Sequence, residues 1–286
     1  MALPGTYATW GIQVGLIRAL TAVGARTWST SGAGPIEKAT LNGEVMTRST
    51  VIPPLWESVL AVVAHPADGS FGLGAILDAF ITEGARVQVL CLTHGQAWAL
   101  DVAPGDLAAL RGAALTSAAD VLGATRAKLR VNPDGALSEV DQTRLAAQVV
   151  AAAESVGAEG LLVFDPAGVT GHLDHVAATA AALLAAETLN LPVLGWTIPE
   201  TVAAQLNHEF GASFTGHRDE DIDLRVTVDR TRQRLASRAQ SSPGLPGSIV
   251  RRRLELLADT ESLRWLRPPD PDTSGAPGTT DSAGSR

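Results

Sequence analysis

Two short segments of the chain gather side chains that can hold a metal ion and move protons. The first, His65-Pro66-Ala67-Asp68, sets an imidazole and a carboxylate three positions apart, so one turn can aim both at a shared ion. The second leads from Asp165-Pro166 through Gly168 and Gly171 into His172-Leu173-Asp174-His175, whose histidines are spaced by roughly one helical turn. One or both can face the same site as His65 and Asp68. Two imidazoles and a carboxylate form a set that holds zinc and leaves a position open for water. The plainer alternative has Asp174 capping a helix while the histidines pack against it. Cys91 is the only cysteine, which excludes an intrachain disulfide and a thiolate cluster within one chain. It sits at the end of an apolar run that suits a buried, unreactive thiol.

Regular elements must position these residues. Residues 58–64 form a β-branched and apolar run that predicts a strand, and apolar positions recur at helical spacing over 70–83. A further strand is expected at 86–92 and an alanine-rich helix from Gly105-Asp106 to 122. Asn132-Pro133-Asp134-Gly135 reads as a turn, followed by a helix over 138–155 and a strand over 160–164. Helix 172–186, strand 192–198 and strand 223–228 continue the alternation, with Asp229 placed to cap the next helix. Strands alternating with helices imply an α/β fold whose mostly parallel sheet is covered on both faces. Ligands of such sheets collect beyond the carboxyl ends of the strands, and the loops 64–69, 93–101 and 165–175 all occupy that position. Counting His94, four of the six histidines fall in them.

The 286 residues permit one large α/β domain or two small ones. Hydrophobic residues at 45% and charged residues at 18% exclude global disorder and fibrous classes. A net charge of -8 argues against a general nucleic-acid or anionic-membrane binder. No apolar stretch is long enough to cross a bilayer, and the nearest, 10–25, is interrupted by Gln13 and Arg18 and reads as an amphipathic or irregular N-terminal segment. Cytoplasmic residence is the default expectation. Residues 1–50 are expected to form an N-terminal extension, 51–267 the α/β domain and 268–286 a disordered tail rich in Pro, Gly, Ser and Thr. The glycines of GSFGLG at 69–74 lack the dinucleotide-binding spacing. Arg251, Arg252 and Arg253, followed by LELLADTESLRWL, read as a solvated helix face rather than a nucleic-acid patch.

Taken in order, AHPADGSFGLGA at 64–75, LTHGQA at 92–97, LAALRGAAL at 107–115, FDPAGVTGHLDH at 164–175 and RRRLELLADTESLRWL at 251–266 resemble the PIG-L/LmbE superfamily. This superfamily comprises the N-acetylglucosaminyl deacetylases and mycothiol-type amidases. The resemblance spans about 55–265 and implies a Rossmann-like fold, a bound zinc ion and metal-assisted amide hydrolysis. It implies His65, Asp68 and His175 as zinc ligands, His172 near the acyl oxygen, and Asp174 as the group that orients His172. The implied partner is a small molecule, an N-acyl amino sugar or a thiol conjugate. Nothing in the sequence specifies an oligomeric state.

The departures from the family pattern carry their own expectations. Relatives usually read AHPDDE at the first marker, so their general-base aspartate falls on Ala67 and the next acid on Gly69. Family glutamates fall on Gln96 and Ala114, which leaves Arg111 without its usual partner and open to an anionic or hydroxyl-rich ligand. Where relatives resemble HxSQ, this chain has Gln240-Ser241-Ser242-Pro243. Loss of a positioned base typically removes about 10²- to 10⁴-fold in rate, while a metal can still activate water. His94, Asp101 or Asp165 could serve as a replacement base. The alternative is a catalytically weakened homologue that binds a metal or ligand for a regulatory or structural role.

Overall fold

The structure, a computed structural model, describes residues 36–41, 44–49, 52–95, 104–167, 169–239 and 247–270. The expected segment at 10–25, and the expected tail beyond residue 270, lie outside the described residues. Strands β1 (Ile36–Leu41) and β2 (Glu44–Ser49) pair antiparallel within the stretch read as an extension. The sheet proper opens with β3 (Ser58–Val63), buried at every position. Its alternate residues serve two cores: Val59, Ala61 and Val63 face one, Leu60 and Val62 the other. A strand covered on both faces needs this unbroken apolar run.

After β3 come α1 (Asp68–Phe71), α2 (Gly74–Thr82), β4 (Arg86–Thr93), α3 (Pro104–Leu122) and β5 (Arg126–Asn132). Then follow α4 (Gln142–Val156), β6 (Gly160–Phe164), α5 (Leu173–Leu189), β7 (Val193–Thr197) and α6 (Glu200–Phe210). The C-terminal part adds β8 (Leu224–Thr227), α7 (Thr231–Ala239), α8 (Gly247–Leu257) and β9 (Thr260–Arg267). The seven strands lie in the order β5-β4-β3-β6-β7-β9-β8, and only β9 runs opposite to the other six. The mostly parallel α/β sheet expected from the sequence is therefore present.

The helical layers are unequal. Helices α4 and α5 cover one face, with Ala177, Ala178, Ala181, Ala182, Ala185 and Ala186 letting α5 lie close against the strands. The other face is packed by residues of α2, α3, α6, α7 and α8. Asn190, with φ of 53°, ends α5 in the left-handed conformation that Asn tolerates better than most residues.

Two parts of the reading are corrected. The helix expected over 70–83 is two helices, because the chain turns at Gly72 and Leu73 before α2 begins. At Gly72 a Cβ would come 2.6 Å from the ring of Phe164, so only glycine permits that approach. The solvated face expected at 251–265 also fails as drawn. Helix α8 stops at Leu257, the rest is strand β9, and Arg253 is buried. Among the described residues no helix is long and apolar enough to cross a membrane.

The chain leaves β3 toward β4 and β5 on one side, whereas β6 leads to β7 on the other. The order thus reverses between β3 and β6, where crossover connections diverge and leave a crevice at the strand ends. The loops after those two strands carry the two candidate motifs.

Candidate active site

His65 follows β3 by two residues. Its backbone N–H donates to Asp68 Oδ2 at 2.8 Å, and its carbonyl accepts from Asp68 N at 3.1 Å, so the tetrapeptide closes into a turn. That turn brings the Asp68 carboxylate back beside the His65 ring. The second loop leaves β6 at Phe164 and enters α5 with His172 as N-cap; His172 Nδ1 accepts from Asp174 N at 3.1 Å. His175, in the first turn of α5, stacks on Phe164 with ring centroids 4.7 Å apart and planes 9° from parallel. Val169, between them, has φ of 57°, a region that β-branched residues avoid. Its side chain is buried and its carbonyl accepts from Thr215 N at 2.7 Å, which holds the strained residue in place.

The loops meet. His65 Nδ1 lies 3.2 Å from His175 Nε2 and 3.5 Å from Asp68 Oδ2, and His175 Nε2 lies 3.1 Å from Asp68 Oδ1. Tetrahedral ligands about 2.0–2.1 Å from a zinc ion stand about 3.3 Å from one another, so these three side chains fit one. Thr170 Oγ1 is 3.4 Å from His175 Nδ1, where it can accept that nitrogen's proton while Nε2 faces the cluster. The His172 ring stands 4.9 Å from that of His65 and 5.2 Å from that of His175, beside the ligand cluster.

Behind His65 lie two carboxylates. Its Nε2 is 3.1 Å from Asp174 Oδ2 and 3.2 Å from Asp134 Oδ1. Asp174 is itself held by Gly135 N at 2.7 Å and Leu137 N at 2.9 Å, while Asp134 accepts from Thr93 Oγ1 at 3.1 Å. The family resemblance implied that Asp174 orients His172, and the Asp174 backbone N–H does donate to His172 Nδ1. Its carboxylate braces His65 as well, because the side chain turns inward to the 135–137 backbone. That carboxylate also lies within 4.8 Å of a His172 ring nitrogen. Asp134 is the residue that sequence reasoning missed, since Asn132-Pro133-Asp134-Gly135 has turn chemistry. The available signal was its position just past a strand, β5, on the same edge as the other two loops.

Charge follows from this packing. Burial disfavours a charged His65, but the carboxylates of Asp68 and Asp134 outweigh it and push its pKa up to about 11. Burial also opposes ionisation of Asp68, yet His175 and His65 hold its carboxyl far below the usual carboxylate range. Burial, then the neighbouring His65 and His175, lowers the pKa of His172. Since its Nδ1 is an acceptor, the neutral ring carries its proton on Nε2.

The remaining named residues fall into three groups. Arg111 reaches the loop after β4, for a Cβ on Gly95 would lie 3.2 Å from its guanidinium, and 3.2 Å from Pro66 of the first loop. Ala67 and Gly69 offer no acid, and Gly69 borders a small apolar cavity lined also by Val89, Leu115 and Leu122. Asp165 braces its own loop: Oδ1 accepts from Ala167 N at 3.1 Å, and Oδ2 lies 2.9 Å from Arg264 Nη1 and 3.0 Å from His217 Nε2. His94 is half-buried in the loop after β4. Gln96, Asp101, Gly168 and Gln240-Ser241-Ser242-Pro243 lie outside the described residues. Cys91 is buried with its thiol 3.1 Å from Thr93 O, and burial pushes its pKa well up, as suits an inert thiol.

Comparison with known proteins matches this architecture. Residues 60–186 fit the family profile described as PIG-L, GlcNAc-PI de-N-acetylase. A probable N-acetylglucosaminyl-phosphatidylinositol de-N-acetylase of Schizosaccharomyces pombe is 31% identical over 133 residues, 44% of this chain and 51% of that protein. A 1D-myo-inositol 2-acetamido-2-deoxy-alpha-D-glucopyranoside deacetylase of Kineococcus radiotolerans is 28% identical over 181 residues, 51% of this chain and 50% of that one. The chain thus spans about half the length of these two relatives. Among solved structures, the N,N'-diacetylchitobiose deacetylase of Pyrococcus horikoshii superposes with TM-score 0.54 at 16% identity, covering 76% of this chain and 89% of that one. The 4-carboxy-2-hydroxymuconate hydratase GalB of Pseudomonas putida also gives 0.54 at 16% identity, over 75% and 98% of the two chains. The same fold carries a hydratase as well as deacetylases, so fold alone names no reaction. The family profile, the deacetylase relatives and the shared architecture agree with the motifs in the two loops: residues 60–186, which hold both motifs, fit the PIG-L/LmbE superfamily.

Proposed function

We propose that this chain hydrolyses the amide of an N-acetylated, sugar-like small molecule at a zinc ion held by His65, Asp68 and His175. The observation that carries the reading is the convergence of His65 Nδ1, Asp68 and His175 Nε2 within 3.1–3.5 Å of one another. Zinc bound there would polarise the amide carbonyl and make a water molecule more acidic.

The protein's own groups do the rest. Asp134 and Asp174 accept the proton of His65 Nε2, which leaves Nδ1 directed at the ligand cluster. His172, with Nδ1 occupied by a backbone N–H, offers Nε2–H to the carbonyl oxygen as that oxygen gains charge. Arg111 beside Gly95 suits a hydroxyl or anionic group on the substrate. Addition of water and breakage of the C–N bond give acetate and a free amine. Ala67 contributes no base, so turnover is expected to be slow rather than absent.

The relatives' names favour an N-acetylglucosamine derivative over a thiol conjugate as the substrate. The test is acetate release by zinc-loaded protein from N-acetylglucosaminyl-inositol, diacetylchitobiose and N-acetylglucosamine. Release that depends on both zinc and His175 is expected. A zinc-loaded preparation inert on all three over long incubation would exclude this function.

A further inference from the structure

Helix α1 is one turn long, lacks a side-chain cap at its start, and carries Asp68 as its first residue. A single turn does not hold its own shape in water. Its last carbonyls need partners from elsewhere, and these partners decide how the turn sits. They come from α7 and α8, more than 160 positions away in sequence. Gln233 Nε2 donates toward the carbonyls of Ser70, Phe71 and Gly72 at 3.2, 3.4 and 3.4 Å. Ser237 Oγ adds a donor to Ser70 O at 3.4 Å, and an Arg253 guanidinium nitrogen donates to Phe71 O.

The orientation of Gln233 is itself fixed. Its Oε1 accepts from Arg230 Nη1 at 2.9 Å, which directs Nε2 to α1. Arg230 also pairs with Glu261, whose other oxygen accepts from Trp196 Nε1 at 2.7 Å. Gln233 and Glu261 are fully buried, Arg230 and Arg253 nearly so, and Arg253 lies 5.1 Å from the Trp196 ring centroid. Two buried arginines therefore stand in one cluster with a single glutamate, which pairs with Arg230. Such clusters are costly to desolvate, and well-packed apolar replacements often match or exceed their stability. Stability is thus a weak explanation for this one; Arg230 also ties to the carbonyls of Ala258 and Thr260, while Gln233 Nε2 and an Arg253 guanidinium nitrogen donate to the carbonyl end of α1.

We propose that the buried Glu261–Arg230–Gln233 relay, together with Arg253, is a positioning unit that sets the pose of α1 and so aims the Asp68 carboxylate at the metal. The inference rests on the metal reading above and extends it to the C-terminal elements. Gln233→Glu is the decisive variant. It keeps the shape and the contact with Arg230 but turns the donor facing three carbonyls into an acceptor.

Zinc affinity is measured on wild-type and variant protein by competition with a chromophoric chelator, with circular dichroism to check the fold. Gln233→Glu is expected to bind zinc about 10- to 100-fold more weakly while remaining folded, the size of loss seen when outer support of a metal ligand is removed. Should that variant not fold, Arg253→Lys and Ser237→Ala carry the same comparison, each expected to weaken binding several-fold. Wild-type affinity in the folded variants overturns the positioning role alone. A wild-type protein that takes up no zinc overturns both the positioning role and the hydrolase reading.

Discussion

The side-chain cluster around His65 and His175 and the two positions flanking Asp68 lie side by side yet are furnished in opposite ways. Around His65 and His175 every polar atom discussed above has a partner, supplied by Asp68, Asp134, Asp174, Thr170 and the 135–137 backbone. At 67 and 69, where the family pattern read from the sequence places acids, this chain has a methyl group and a hydrogen atom. Holding an ion and moving a proton are separate tasks, and under the proposed function the residues for the first are in place while the acid expected for the second is missing.

That contrast can be broken or sharpened. The largest effect is expected from His175→Ala, which removes one of three ligands: stoichiometric zinc should be lost, as read by metal analysis after gel filtration. Zinc retained in that variant would dissolve the cluster as a metal site. Next comes Ala67→Asp, expected to raise kcat by about 10²-fold or more, with zinc affinity changed only a few-fold. An unchanged kcat would mean that another group already takes the proton. Asp134→Asn should weaken zinc binding by about 10- to 100-fold, because one of the two carboxylates behind His65 loses its charge.

The smallest effect concerns protons. With a pKa near 11, His65 in the metal-free protein is protonated at pH 7–9, and a metal must displace that proton to reach Nδ1. Affinity should therefore rise with pH over this interval. Calorimetry in buffers of different ionisation enthalpy should show about one proton released per zinc from this ring. Release of none would contradict the charge state of the cluster.

The sequence exposed one side of this contrast better than the other. Strands β3, β4, β6 and β7 are buried apolar runs, and their period and turn signals suffice to find them. His65, Asp68, His172 and His175 follow from their places just beyond two of those strands. Strand β5 escaped because Arg126, Lys128 and Arg130 alternate with its apolar residues, which fits an edge but not a buried strand. With β5 unseen, Asp134 looked like part of a turn. Strand β9 escaped because Glu261, Arg264 and Arg267 continue the charged texture of α8, and only tertiary partners neutralise them. The relay from Glu261 to α1 was invisible for the same reason: nothing local distinguishes a buried arginine from a solvated one.

The charges that obscured β5 have a further consequence. This strand is one rim of the seven-stranded sheet, pairing with β4 on a single side among the described residues. An unpaired rim is a template on which another chain can add a strand, and a row of like charges along it opposes such growth. Replacing Lys128 and Arg130 by threonine or valine would make the rim more strand-like and more prone to join its own copies into aggregates.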